Sequence, residues 1–190
     1  MKHLVVYAHP NPKSFNHAIC ERVVKTAKEN GDEVVVRDLY ALGYDPILKG
    51  SDFVSFKQGV TPEDIKVEQE HITWADIITF IHPVWWTSMP SVLQGYYDRV
   101  FSYGYAYVST DQGVKGLLGG KKAFVFTTTG NSKEAYEVSG VTDGMKLVRQ
   151  ASFEFVGITD VTQTHFNAVP YVGDDVRHQY LDEVEKVLTK

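Results

Sequence analysis

Three short stretches hold the residues with chemical reach. The first is His9-Pro10-Asn11-Pro12-Lys13-Ser14-Phe15-Asn16. The apolar run Val5-Val6-Tyr7-Ala8 leads into it, and the helical pattern Ala18-Ile19-Cys20-Glu21-Arg22-Val23-Val24 leaves it. A helix start presents unpaired backbone N–H groups and a partial positive charge, which favours a phosphate. The same residues also suit ordinary capping, with Ser14 or Asn16 as the N-cap. Neither Gly-x-Gly-x-x-Gly nor a Gly-Lys-Ser/Thr loop occurs at this place.

The second stretch is His82-Pro83-Val84-Trp85-Trp86-Thr87-Ser88-Met89-Pro90. Its two adjacent tryptophans fall outside any helix or strand period. One of them suits the core. A second ring in a proline-stiffened loop suits a wall for a flat aromatic ligand. The third stretch is Thr127-Thr128-Thr129-Gly130-Asn131, whose hydroxyls and glycine offer N–H groups to a polar ring edge. Tyr103, Tyr105 and Tyr107 also alternate, a pattern that fits a solvated edge or an interface equally.

The elements that position these stretches follow from periodicity. Lys2–Ala8 and Glu33–Asp38 read as strands buried on both faces of a parallel sheet. Ile77–Ile81, Lys122–Thr128 and Ile158–His165 are the other three strands. Helices are expected over Asn16–Asn30, from a Thr61 cap with Pro62 at the first turn to Trp74, from Pro90 or Ser91 to Phe101, over Asp143–Val156 and over Asp174–Leu188. Ser51–Thr61 reads as irregular or one short helical piece. Ser102–Gly120 and Thr129–Gly140 read as loops. Five strands alternating with five helices predict a single α/β domain over residues 1–190. It has a doubly wound five-stranded parallel sheet, order 2-1-3-4-5, with helices on both faces. Ligands in such sheets sit beyond the carboxyl ends of the strands, where all three stretches fall.

One loop suits a phosphate, one an aromatic plane and one a polar ring edge, which together describe a flavin mononucleotide site. At this point the chain resembles the NAD(P)H:quinone oxidoreductase (DT-diaphorase-like) family of flavodoxin-like flavoproteins, in particular its short bacterial members. The matching residues are Ala8-His9 with Ser14-Phe15-Asn16; Asp38-Leu39-Tyr40 with Asp45-Pro46; Ala75-Asp76; Pro83-Val84-Trp85-Trp86 with Pro90; Leu93 to Phe101; Tyr105-Ala106-Tyr107; and Thr128-Thr129-Gly130 with Tyr136.

The resemblance implies a role for each. His9, Ser14, Phe15, Asn16 and Ala18 would hold the flavin phosphate. Pro83, Val84, Trp85, Trp86 and Thr87 would line the isoalloxazine ring. Thr128, Thr129, Gly130 and Asn131 would meet its pyrimidine edge. Tyr136 would donate near flavin O2 and is the catalytic candidate. Tyr105 and Tyr107 would help wall a substrate pocket at a homodimer interface. The implied activity is ping-pong, two-electron reduction of quinones or similar acceptors by NAD(P)H. The larger members carry a histidine six residues after the tyrosine; here that position is Thr142. The short middle of the chain favours FMN over FAD. Two other roles within reach of the resemblance are a regulatory flavoprotein subunit of a glutathione-gated potassium efflux transporter and a flavodoxin-like electron carrier.

Composition narrows the alternatives. The 190 residues carry 19 basic and 24 acidic side chains, a net charge of −5, with no Lys/Arg block. Nucleic acid is therefore not an expected partner. The seven histidines lack metal-ligand spacing, and no metal is expected. No Gly-x-Ser-x-Gly is present, which argues against a serine hydrolase. The single cysteine, Cys20, lies on the apolar face of the first helix and suits packing. No apolar run approaches the roughly 18 residues of a membrane span, and no secretory leader pattern opens the chain, so a cytoplasmic protein is expected.

Overall fold

The computed structural model describes residues 1–189. Its elements run β1 (Lys2–Tyr7), α1 (Phe15–Glu29), β2 (Glu33–Asp38), α2 (Gly50–Lys57), α3 (Glu63–Trp74), β3 (Ile77–Pro83) and α4 (Ser91–Val100). They continue with β4 (Tyr107–Thr110), β5 (Gly113–Gly116), β6 (Lys122–Thr128), α5 (Lys133–Val138), α6 (Val141–Phe155), β7 (Asp160–Phe166) and α7 (Asp174–Leu188).

Five strands form one parallel sheet in the order β2-β1-β3-β6-β7. Counted among the sheet's own strands this is the expected 2-1-3-4-5. The numbers four and five go instead to a separate hairpin. The inner strands β1, β3 and β6 are apolar because both faces are covered. The edge strands β2 and β7 are only partly buried, so burial on both faces does not hold for Glu33–Asp38. Alternate residues of each strand supply the two cores. Leu4, Val6, Phe80 and Val125 face one layer with Tyr96, Tyr97 and Phe153 from α4 and α6. Val5, Tyr7, Phe124 and Phe126 face the other with Ile19, Val23 and Val184 from α1 and α7. Each such large side chain contributes about 1.5–3 kcal/mol on burial, so the sheet is a rigid base for its loops.

Several expected boundaries differ. The stretch expected as a long loop, Ser102–Gly120, contains the β4–β5 hairpin. Gly113 takes a positive φ of 110° there, and its carbonyl accepts from Thr110 Oγ1 at 2.8 Å. Glycines in two of the four β5 positions hide the alternation that marks a strand. The expected loop Thr129–Gly140 contains α5, whose N-cap Ser132 accepts from the Ala135 N–H. Six residues are too few for helical periodicity to show. Pro62, not Thr61, is the N-cap of α3, with no side-chain cap bond. β3 runs on to Pro83, so His82 and Pro83 belong to the strand rather than the loop, and His82 is wholly buried. α6 begins at Val141 and β7 at Asp160, two residues from the expected starts.

Gly95 on α4 marks a close approach. A Cβ there would overlap the carbonyl and ring of Pro46, in the connection between β2 and α2. That connection therefore packs directly on the helix that follows the tryptophan loop.

Candidate functional site

The parallel register brings the carboxyl ends of β1, β3 and β6 side by side. Tyr7 pairs with Ile81, His82 with Thr127 and Pro83 with Thr128. The three loops leave from these ends, and hydrogen bonds tie them. Asn16 Nδ2 donates to Thr128 Oγ1 at 2.7 Å, joining the first loop to the third. The Val84 N–H donates to the Thr128 carbonyl at 2.8 Å, joining the second to the third. The His9 ring lies 5.9 Å from the Trp85 ring, joining the first to the second. Asn16 is buried, and its Oδ1 has no partner among the described residues.

Ser14 is the N-cap of α1, its Oγ accepting from the His17 N–H at 3.2 Å. The capping reading thus holds, and it leaves the phosphate reading open, because a cap satisfies one of several free N–H groups. A cavity of about 420 Å³ opens at this helix start, lined by Lys13, Ser14, Phe15, Ala18, Val169, Pro170 and Arg177. Lys13 and Arg177 make it electropositive. Arg177 comes from the first turn of α7 and is held by Asp174 at 2.7 Å and by the Val169 carbonyl at 3.1 Å. Neither residue belongs to the expected site. Lys13 is visible in the first loop, but nothing in the sequence connects Arg177 to a loop more than a hundred residues away.

The tryptophan loop is a two-residue turn. Trp85 and Ser88 exchange backbone hydrogen bonds of 3.1 and 3.0 Å, and Trp86 and Thr87 between them take φ of 52° and 58°. Left-handed backbone at two successive non-glycine residues costs on the order of 1–3 kcal/mol each. Trp86 is also 97 % exposed, while Trp85 is partly covered. The Trp86 ring thus makes little contact with the rest of the chain.

The third loop is more occupied than expected. Thr129 Oγ1 donates to the Asn131 carbonyl at 3.0 Å, and the Thr129 N–H donates to the Phe166 carbonyl at 2.9 Å. Thr129 therefore braces the loop against β7, and Gly130 and Asn131 are the exposed members. Tyr136 follows on α5, partly covered, with no hydrogen bond to its hydroxyl among the described residues.

The family model for the flavodoxin-like fold matches residues 1–188. The chain belongs to that flavodoxin-like family. It is 35 % identical over 184 residues to the "Uncharacterized NAD(P)H oxidoreductase" of Haemophilus influenzae, covering 96 % of this chain and 91 % of that protein. It is 29 % identical to the "NAD(P)H dehydrogenase (quinone) 1" of Cavia porcellus, covering 94 % of this chain and 72 % of that one. Among solved structures, the NAD(P)H:quinone oxidoreductase from Methanothermobacter marburgensis superposes with a TM-score of 0.88 at 28 % identity. The match covers 98 % of this chain and 94 % of that one.

Within this flavodoxin-like frame Tyr105 and Tyr107 stand apart from the three loops. The Tyr105 hydroxyl donates to the Gln69 carbonyl at 2.7 Å and lies 3.0 Å from Thr73 Oγ1, near the last turn of α3. It pins the segment before β4 to a helix that leads into the amino end of β3. Tyr107 packs edge-on against Phe155 at 4.8 Å and borders an apolar cavity of about 640 Å³ with Phe53, Phe56, Phe101 and Tyr103. One chain alone does not bring either tyrosine to the loops.

The residues at the loops fit a flavin. The electropositive cavity at α1 suits its phosphate. The exposed Trp86 suits its ring, and the unpartnered Asn16 Oδ1 suits a donor from its polyol chain. No group of three or more metal-ligating side chains occurs among the described residues.

Proposed function

We propose that the protein is a flavin-dependent NAD(P)H:quinone oxidoreductase that holds one FMN per chain. The observation that carries the reading is the convergence of three tied loops at one sheet edge, with Trp86 held outward by a strained turn. The relatives named as NAD(P)H oxidoreductase and quinone dehydrogenase support the choice of donor and acceptor.

Bound FMN would supply the two-electron chemistry, taking a hydride from the nicotinamide and passing it to the acceptor. The chain supplies place and charge. His9, Ser14, Phe15, Asn16 and Ala18, joined by Lys13 and Arg177, hold the phosphate end. Pro83, Val84, Trp85, Trp86 and Thr87 form the wall against the ring. Thr128, Thr129, Gly130 and Asn131 would form the polar edge, where the Tyr136 hydroxyl would donate a hydrogen bond to the ring. Thr142 stands where an imidazole would otherwise assist that tyrosine, so water is the proton source in this account.

The working unit in this reading is a cytoplasmic homodimer of single-domain chains. Phe53, Val54, Tyr103, Leu147, Val148 and Phe155 are all exposed. Apolar groups this large on α2, α6 and the segment after α4 support a second copy there. That copy would bring its Tyr105 and Tyr107 toward the loops. No helix among the described residues is long and apolar enough to cross a membrane.

The test is uptake of FMN. The protein should bind about one FMN per chain and turn yellow; a chain that takes up neither FMN nor FAD would end the reading.

A further inference from the structure

Arg149 on α6 is only 4 % exposed, and its Nε and Nη1 are buried without partners. Among the described residues it forms no ion pair. A guanidinium keeps its charge at any ordinary pH, so it cannot escape burial by losing a proton. A buried cation without a counter-ion is strongly unfavourable. The groups around it do not compensate. Burial and the Arg149 charge hold the His82 imidazole neutral, down to about 3, and the His165 imidazole down to about 4. Both rings leave a buried Nε2 unpartnered, as Tyr97 leaves its hydroxyl. No acidic side chain lines the cavity that Arg149 borders.

Arg149 and Tyr97 line a cavity of about 400 Å³ between the end of the tryptophan turn, α4 and α6, whose apolar wall includes Met89, Val141, Met145 and Val148. We infer that Arg149 and Tyr97 form a subsite for the acidic group, a carboxylate or a phosphate, of a ligand whose apolar body lies against Met89, Val141 and Met145. The guanidinium supplies the charge-assisted donor, and the Tyr97 ring, whose hydroxyl is sealed from solvent, walls the site. Thr87, beside the exposed tryptophan, borders the same cavity. The occupant is therefore the acidic group of an acceptor or a phosphate of the nicotinamide donor. That last step rests on the reductase reading; the anion site itself does not.

Calorimetric titration of the FMN-loaded protein with benzoate, phenyl phosphate and neutral benzyl alcohol tests the site. One or both anions should bind at least about tenfold more tightly than the alcohol, the loss expected for one charge-assisted bond. Arg149→Met should weaken the anion by at least a similar factor. Gly144→Leu should do the same with Arg149 intact, because Gly144 borders the cavity and a Cβ there meets nothing within 4 Å. No anion binding, or binding in both variants as tight as in the unsubstituted protein, overturns the inference and leaves the guanidinium to water. A kinetic arm separates the sources. In Arg149→Met, the KM of an anionic naphthoquinone sulfonate should rise at least about tenfold more than that of menadione if the acceptor is the occupant. The KM of NADPH should rise instead if the donor is. Anion binding with neither rise overturns the assignment to donor or acceptor. Anion binding by a protein that reduces no quinone sinks the reductase reading and leaves the subsite standing.

Discussion

Trp86 combines backbone strain with near-complete exposure, and in the proposed site it is assigned the flavin ring. Trp86→Ala should weaken FMN by about tenfold or more, the loss of one aromatic burial, measured by quenching of flavin fluorescence. Cys20→Ser is the control. Its thiol is buried under α1 and pushed up to about 12 by that burial, so it packs rather than reacts. Equal losses in both variants would remove the stacking role. The buried imidazoles give a pH prediction. Burial lowers His82 to about 3 and His165 to about 4 in the folded chain, below the ordinary 6.5. The unfolded chain then binds more protons between those values, so stability is complete above about pH 6.5 and falls as pH drops toward 4. Urea unfolding across that window should show the decline, and His82→Asn should flatten it; a slope unchanged by the substitution would assign the decline elsewhere. At this scale the loop residues were legible because their types are unusual for loops. Arg149 and Arg177 were not. A single arginine on a helix reads as solvated, and only packing shows that one is buried and the other faces a distant loop.

The elements matter through the loops they aim. α4 begins directly after the tryptophan loop and is seated against the β2–α2 connection through Gly95. Gly95→Ala would ordinarily favour a helix. Here it forces Pro46 away and should cost about 1–3 kcal/mol through overpacking, read as a lower midpoint in thermal unfolding. An unchanged or raised midpoint would mean that the connection yields freely. The five sheet strands and the long helices were legible because their periodicity runs over many residues. The β4–β5 hairpin and α5 were not. One carries glycines where side chains would alternate, and the other is shorter than the window in which a helix declares itself. The carboxyl end of β3 was placed two residues early because Pro83 looked like a loop residue, whereas it takes the last strand position opposite Thr128.

The whole molecule presents apolar groups on one side that no part of this chain covers. Val148 and Phe155 on α6 line a cavity that Tyr107 borders, and Leu147, at 70 % exposure, lies on the same helix. If a second copy covers them, Leu147→Glu should convert a dimer to a monomer in sedimentation, with the far-ultraviolet circular dichroism unchanged. A wild-type chain that sediments as a monomer at micromolar concentration would contradict the dimer and leave Tyr105 and Tyr107 without a role at the site. The fold, and the meeting of the three loops at one end of the sheet, were legible end to end in the chain's resemblance to quinone oxidoreductases. The assembly was legible only as an implication, because a face is apolar by virtue of which residues the fold leaves outside. The central claim is that the three loops hold a flavin that passes electrons from NAD(P)H to a quinone. Steady-state reduction of menadione by the FMN-loaded protein, with NADH and NADPH in turn, tests it most directly. The account predicts multiple turnovers with at least one donor, parallel-line ping-pong kinetics and a slower rate in Tyr136→Phe. A protein that binds FMN stoichiometrically yet oxidises neither donor would contradict it.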